Sequence, residues 1–566
     1  MRRWLGVLSV LLAVGCAPSW KKLPHQTVYQ KTRAPKLHEK PYTSWAVSDW
    51  WDFGLHSSVV PLAQSFSPAR YAARLVGHKP ALDVNAFGKV PDSPWYQNRI
   101  TKKPFTAAEL VRGPNRAGAP APGPLVVVSG KTEGATPGLV LVDRKGARWF
   151  AKFDPPAFRG LSTSAELIAS KFLYAAGYWV PETYVVELDV RRLQIGDRAW
   201  TRDSYERKIP LTEKALKELI ALMNPDPRGR LRTLFSRAVP GEPIGPFSYR
   251  GVRANDPNDK IPHQRRRSLR GLWVLAAWLN NTDVRRQNTL DTFIPVAKGK
   301  GFVRHYLIDF GDSLGAAGER EKYKGEGYEA RLDWSELGKR GVSLGFLYPY
   351  WLPLKRSPYR SVGIFEAKVF DPERWYPVVE NPAFEEANPE DTFWGASVLA
   401  RFTPELIRAG VETAGYTEDG ATDFVVEVLT ARRKKLLQYG FEKILALDDP
   451  KVEGRYLVTF VDLEVLGGLR PSPGFRYRVR WNRTGKSDVL VHHGQVESPR
   501  FDLREVVAKV MRRDRKGFEN DPFLTLEVWR TDGGPRLELH LRAVRNFLLP
   551  VSLWREQRVV PARDLR

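Results

Sequence analysis

Residues 278–290 read Trp-Leu-Asn-Asn-Thr-Asp-Val-Arg-Arg-Gln-Asn-Thr-Leu, and residues 307–311 read Leu-Ile-Asp-Phe-Gly. The first stretch closes an apolar helical run and places Asp283 shortly before Asn288, with four residues between them. The second is an apolar strand that ends in an acid. Phosphoryl transfer from ATP needs these parts: one aspartate to orient the attacking hydroxyl, and a second aspartate with an asparagine to hold Mg²⁺. Working towards the N-terminus, residues 125–128 and 138–142 are apolar β runs around the glycine-containing turn Ser129-Gly130-Lys131-Thr132-Glu133-Gly134. Residues 148–153 (RWFAKF) alternate as a third strand carrying Lys152. Residues 163–176 then predict an amphipathic helix that carries Glu166 and stops at Gly177. A lysine held by a glutamate fixes nucleotide phosphates, so the order Lys152, Glu166, Asp283, Asn288, Asp309 is chemically coherent.

That order resembles the protein-kinase-like superfamily, and LNNTDVRRQN resembles the catalytic loop of HipA-type toxin kinases. The segment AKFD with AELIASKFLYAAGYWVPE also resembles a class of large secreted bacterial proteins. The kinase resemblance spans residues 125–445. It implies ATP and Mg²⁺ as cofactors, Asp283 as base, Asn288 and Asp309 as metal ligands, and Lys152, Glu166, Gly130 and Gly134 around the nucleotide. Two departures stand out. Asn281-Thr282 occupies the place of the usual His-Arg, and Gly130, Gly134 and Gly138 recur every fourth residue instead of following the usual glycine-loop spacing.

The fold class implied is α+β: a kinase-like two-lobed domain, with a small β-rich lobe at 121–245 and a larger helical lobe at 246–449. An all-β sandwich or barrel at 450–566 follows, where short alternating strands dominate. The change at Leu447-Asp448-Asp449-Pro450 marks the boundary. Residues 46–120 are aromatic-rich with little periodicity and read as a region wrapping another domain.

At the N-terminus, Arg2-Arg3, a short apolar run and Ala13-Val14-Gly15-Cys16 resemble a bacterial lipobox. Residues 1–15 then form a signal peptide, Cys16 is acylated, and residues 16–45 are a tether. Cys16 is the one cysteine of 566 residues, so the body folds without disulfides. Ala17 after the cysteine resembles the sorting pattern for the outer membrane, giving an exported, lipid-anchored chain. The net charge of +25, or +23 once Arg2 and Arg3 leave, favours an anionic envelope component or an acidic protein acceptor over nucleic acid. The runs Arg265-Arg266-Arg267 and Arg432-Arg433-Lys434-Lys435 read as solvated faces. His305 reads as a satisfied core residue, and no Gly-x-Ser-x-Gly or His-Glu-x-x-His pattern is present. The competing function class is a non-catalytic envelope lipoprotein, a pseudokinase or a binding module. Nucleotide binding separates the two.

Overall fold

The computed structural model describes residues 34–43, 59, 79–130, 138–202, 207–329, 338, 340–343, 346, 348–484, 486–544 and 547–558. The lipobox with Cys16, most of the tether, and the 131–137 turn with Gly134 lie outside the described residues. Residues 34–43, assigned to the tether's end, are docked. His38 exchanges backbone hydrogen bonds with Gly301, both at 2.9 Å, and the Lys36 amide donates to Asn258 Oδ1.

A helix α1 (Ala107–Arg112), closed by a Thr106–Glu109 capping box, precedes the small lobe. There β1 (Leu125–Gly130), β2 (Gly138–Asp143) and β3 (Arg148–Phe153) form consecutive antiparallel pairs. Helix α2 (Leu161–Ala176) follows, then β4 (Thr183–Asp189), β5 (Leu193–Arg202), β6 (Lys208–Pro210), α3 (Glu213–Leu222) and β7 (Arg230–Arg237). These strands make one seven-stranded sheet in the order β4-β7-β3-β2-β1-β5-β6, with β1 parallel to β5. The sheet is therefore wider than the pattern predicts. Its β5–β6 edge is half-exposed and polar, so it carries little of the apolar alternation that marks a strand. Trp149 and Phe153 of β3 and Phe235 of β7 share one apolar core with Leu216 of α3.

Helix α2 departs from the amphipathic expectation, because fifteen of its sixteen residues are buried. One face meets the sheet, and the other is covered by Tyr96, Ile100 and Leu110 from the preceding region. Gly177 permits that cover: a Cβ there would stand 2.4 Å from the Tyr96 ring. Tyr96 in turn donates its hydroxyl proton to the Ala176 carbonyl.

The next part opens with β8 (Glu242–Gly245) and the buried helix α4 (Leu272–Leu279), followed by the hairpin β9 (Thr289–Ala297) and β10 (Lys300–Leu307). A short hairpin β11 (Ala316–Ala317) with β12 (Arg320–Glu321) comes next. Helices α5 (Pro389–Leu399), α6 (Pro404–Glu412) and α7 (Ala421–Phe441) complete the lobe. With the sheet-rich part before it, this completes a mixed α+β arrangement. Helix α5, with Trp394 and Phe393 buried against α4, is apolar on several faces and shows weak helical periodicity in sequence.

Both basic runs depart from the solvated-face expectation. Arg432 is fully buried; its guanidinium donates to the Trp278 and Ala277 carbonyls and lies 3.6 Å from the Phe370 ring centroid. It thus closes the C-terminal end of α4, where unsatisfied carbonyls attract cations. Arg433 serves Leu399, Ala400 and Gly467 in the same way. Arg266 and Arg267 are buried on Asp259, and on Asp391 with Glu390. His305 matches its expected role, 2.6 Å from Asp291 and stacked on Trp95 at 3.5 Å.

The C-terminal part is a sandwich. Strands β13 (Leu447–Glu453), β14 (Leu457–Asp462) and β17 (Arg500–Asp502) form one sheet. The other comprises β15 (Phe475–Asn482), β16 (Val489–Val496), β18 (Phe523–Arg530), β19 (Leu537–Val544) and β20 (Phe547–Arg555). Both sheets and helix α8 (Arg504–Arg513) bury Val458, Phe501, Val479, Leu526 and Val506 in one core. The 449/450 boundary of the sequence pattern falls inside β13. Asp448 there is buried among Lys89, Arg401 and Arg555. Burial alone would raise its pKa, but these three cations outweigh it and hold the carboxyl at about 2. This knot ties the sandwich to the helical lobe and to the wrapping region. Its contribution is complete above the unfolded carboxylate pKa, about 3.9, and is lost as the pH falls towards 2.

Candidate active site

Lys152 sits at the centre of the small-lobe sheet, paired with Gly138 of β2 and Leu234 of β7. Two residues further on, Asp154 turns the chain into α2. Its carboxylate accepts from the Gly160 and Thr163 amides and the Thr163 hydroxyl, satisfying donors at the helix N-terminus. That junction fixes the rotation of α2, so Glu166 on its second turn faces Lys152. The Lys152 ammonium lies 2.7 Å from Glu166 Oε2 and 2.7 Å from Asp309 Oδ1. Burial pulls the Lys152 pKa down, but the two carboxylates override it and leave it raised.

On the other side, α4 ends at Asn280 in the left-handed region (φ +50°), a conformation asparagine tolerates. The Asn281 amide still donates to the Ala276 carbonyl at 2.8 Å. The chain then crosses through Thr282 and Asp283 to a 3-10 turn at Arg286–Asn288. The Ile308 amide donates to the Asn288 carbonyl at 3.0 Å, and this bond brings the Asn288 and Asp309 segments side by side. Asn288 Nδ2 donates to the Asp283 carbonyl (2.7 Å) and to Asp283 Oδ2 (2.8 Å), so the amide oxygen remains to face a cation. Asp309 holds φ +58°, an uncommon backbone state for a residue other than glycine, and one that concentrates at functional sites.

Asn281, Asp283, Asn288 and Asp309 line one recess, with Phe310 and Leu307 behind them. Among the described residues, Asn281 Oδ1 is buried there with no hydrogen-bond partner. Among the described residues, no three His, Cys, Asp or Glu side chains could hold a metal ion between them. An Asp–Asn pair completed by phosphate oxygens and water suits Mg²⁺, which is reluctant to shed its waters. The donor set fits Mg²⁺.

The five residues Lys152, Glu166, Asp283, Asn288 and Asp309 thus converge, and Cys16 and Gly134 lie outside the described residues. Gly130, at the end of β1, has a packing reason of its own: a Cβ would stand 2.9 Å from Thr201 Oγ1 on β5. Three further groups are missing from the sequence reading. Arg285 Nε lies 2.7 Å from Asp283 Oδ1. Asp312 and Lys322 come from the segment after Asp309. Burial, with Asp283 and Asp309 nearby, raises the Asp312 carboxyl to about 7 against the opposing pull of Lys322. Of the three, only Arg285 carries a sequence signal, its place inside the Asp283–Asn288 spacing.

No protein-family model matches the chain, and no curated protein matches it. Three solved structures are similar at a distance. The Helicobacter pylori proinflammatory kinase CtkA has 11% identity and a TM-score of 0.29, covering 55% of this chain and 92% of its own. The Golgi casein kinase with Mn/ADP bound has 9% identity and a TM-score of 0.29, covering 71% and 94%. A second Golgi casein kinase structure has 7% identity and a TM-score of 0.28, covering 60% and 83%.

Proposed function

We propose that this chain is an atypical kinase-like phosphotransferase that uses ATP and Mg²⁺, displayed on a membrane by a lipid at Cys16. The observation that carries the first half is the Lys152–Glu166–Asp309 clasp, in which a neighbouring strand and helix meet a loop distant in sequence. A structural ion pair does not require Asp283 and Asn288 to share a recess with the same aspartate. Lys152 binds phosphate and Glu166 positions it. Asp309 and Asn288 hold the metal, and Asp283 accepts the proton of the attacking hydroxyl. The acceptor is a protein or an anionic envelope component.

Melting with Mg-ATP tests this reading. A ligand at 100 times its Kd stabilises the folded state by about 2.7 kcal/mol, and a rise of a few degrees is expected. A flat melting temperature across millimolar Mg-ATP refutes nucleotide binding.

The anchor is proposed from the lipobox alone; among the described residues no helix is long and apolar enough to cross a membrane. Acyl chains on Cys16 would hold the body at the outer membrane. Cys16→Ser is expected to move the protein from the detergent phase to the aqueous phase or to leave uncleaved precursor. Unchanged partitioning rejects the lipid anchor.

A further inference from the structure

Lys322 follows the β11–β12 hairpin, and its side chain is nearly sealed from solvent, the residue being 1% exposed. Lysines are rarely buried so completely without an ion-pair partner. Among the described residues, its ammonium makes one hydrogen bond, to Thr282 Oγ1 at 2.5 Å. Thr282 is itself fully buried and immediately precedes Asp283. The Lys322 amide donates to the Gly315 carbonyl at 2.9 Å, which fixes the lysine within the segment after Asp309, and its side chain ties that segment to the catalytic loop through Thr282.

Burial pulls the Lys322 pKa down, and the neighbouring acids oppose that pull without overcoming it. Asp312, Glu326 and Asp283 surround it, while Arg320 opposes it. Glu326 is paired with Arg320 at 2.7 Å, and Asp283 with Arg285. Asp312 makes no ion pair among the described residues, and Asp283 and Asp309 repel it. Lys322 is the buried cation that acts on Asp312. Without it, the buried Asp312 carboxyl would meet Asp283 and Asp309 with that opposing charge removed.

We propose that Lys322 is a positioning residue: through Thr282 and its charge it clasps the segment after Asp309 onto the catalytic loop and fixes the Asp283 carboxylate for transfer. The inference rests on the phosphotransfer reading, and it adds a residue that the Lys-Glu-Asp-Asn-Asp pattern lacks. Misplacing a catalytic group by about 1 Å costs about 100-fold in rate. The ATP phosphates are held by Lys152, Asn288 and Asp309, which Lys322 does not touch.

The experiment compares wild type with Lys322→Met, which keeps the length and loses the charge, and with Lys322→Arg. In Lys322→Met, kcat is expected to fall about 100-fold, with the KM for ATP and the Mg-ATP affinity within about twofold of wild type. Lys322→Arg should regain at least about a tenth of wild-type kcat, because a guanidinium keeps the charge and can still donate to Thr282. Thr282→Val, which keeps the cation and removes its acceptor, should lose about tenfold. Amide exchange over 282–284 and 316–328 is expected to rise at least about tenfold in Lys322→Met, and this arm needs no activity. Should wild type transfer no phosphate, the phosphotransfer reading fails, while the exchange still decides whether Lys322 clasps the two segments. Unchanged exchange overturns the clasp. Unchanged kcat, or parallel losses of kcat, nucleotide affinity and melting temperature without rescue by arginine, overturns the positioning role.

Discussion

Asp283→Asn should abolish transfer and leave nucleotide binding in place. The substitution keeps the shape of the side chain, and the amide oxygen can still accept from Asn288 Nδ2, now 2.8 Å from Asp283 Oδ2. What it removes is the capacity to take a proton from the acceptor hydroxyl. General-base catalysis by a positioned side chain contributes roughly 10²- to 10⁴-fold, and kcat is expected to fall by that amount. Lys152 is held by Glu166 and Asp309, and the substituted side chain would still accept from Asn288, so Mg-ATP affinity should stay within about twofold. Autophosphorylation from labelled ATP, with isothermal titration alongside, reads the two quantities separately. An Asp283→Asn variant that turns over within about threefold of wild type would remove Asp283 from the role of base. A matched loss of affinity would make it part of the metal site instead.

The parts of this site that could be read from sequence are those held by local regularity. Lys152 lies in a period-2 strand, Glu166 in a helix that starts soon after it, and Asp283 and Asn288 at a fixed spacing behind an apolar helix. Each position was therefore set within one element, and the elements recur in the order the chemistry needs. The groups that stayed illegible are set by contacts across the fold. Lys322 and Asp312 lie in an aperiodic stretch, and nothing in Glu-Lys-Tyr-Lys shows that the first lysine is buried on Thr282 while Tyr323 is 65% exposed. Arg432 and Arg433 misled for the same reason. A basic run reads as solvated unless carbonyl ends elsewhere in the fold are known to need its donors. The docking of residues 34–43 and the placement of β13 across the expected boundary are likewise tertiary facts, set by Asn258, Gly301 and the cations around Asp448.

Asp309→Asn should behave in the opposite way to Asp283→Asn, because its charge is spent on the cation and on Lys152. Asparagine accepts the left-handed backbone that Asp309 holds at φ +58°, so the local fold should survive. Lys152 keeps Glu166 at 2.7 Å and is not left as a lone buried charge. Lys152→Met is a poorer probe, since it strips the lysine from a carboxylate that is 4% exposed, and breaking such a pair from one side costs about 3–5 kcal/mol. With Asp309 neutral, one formal charge is gone from the Asp–Asn pair that faces Mg²⁺. Charge-assisted contacts are roughly twice as strong as neutral ones, and an affinity loss of at least about tenfold is expected, equal to about 1.4 kcal/mol. The Mg-ATP-dependent rise in melting temperature should shrink or vanish while the nucleotide-free melting temperature stays close to wild type. Turnover should fall with affinity, because without the metal the phosphates lose both their neutralising charge and their alignment. If Asp309→Asn binds Mg-ATP as tightly as wild type, Asp309 serves only to hold Lys152, and the metal must be sought on other oxygens of the recess.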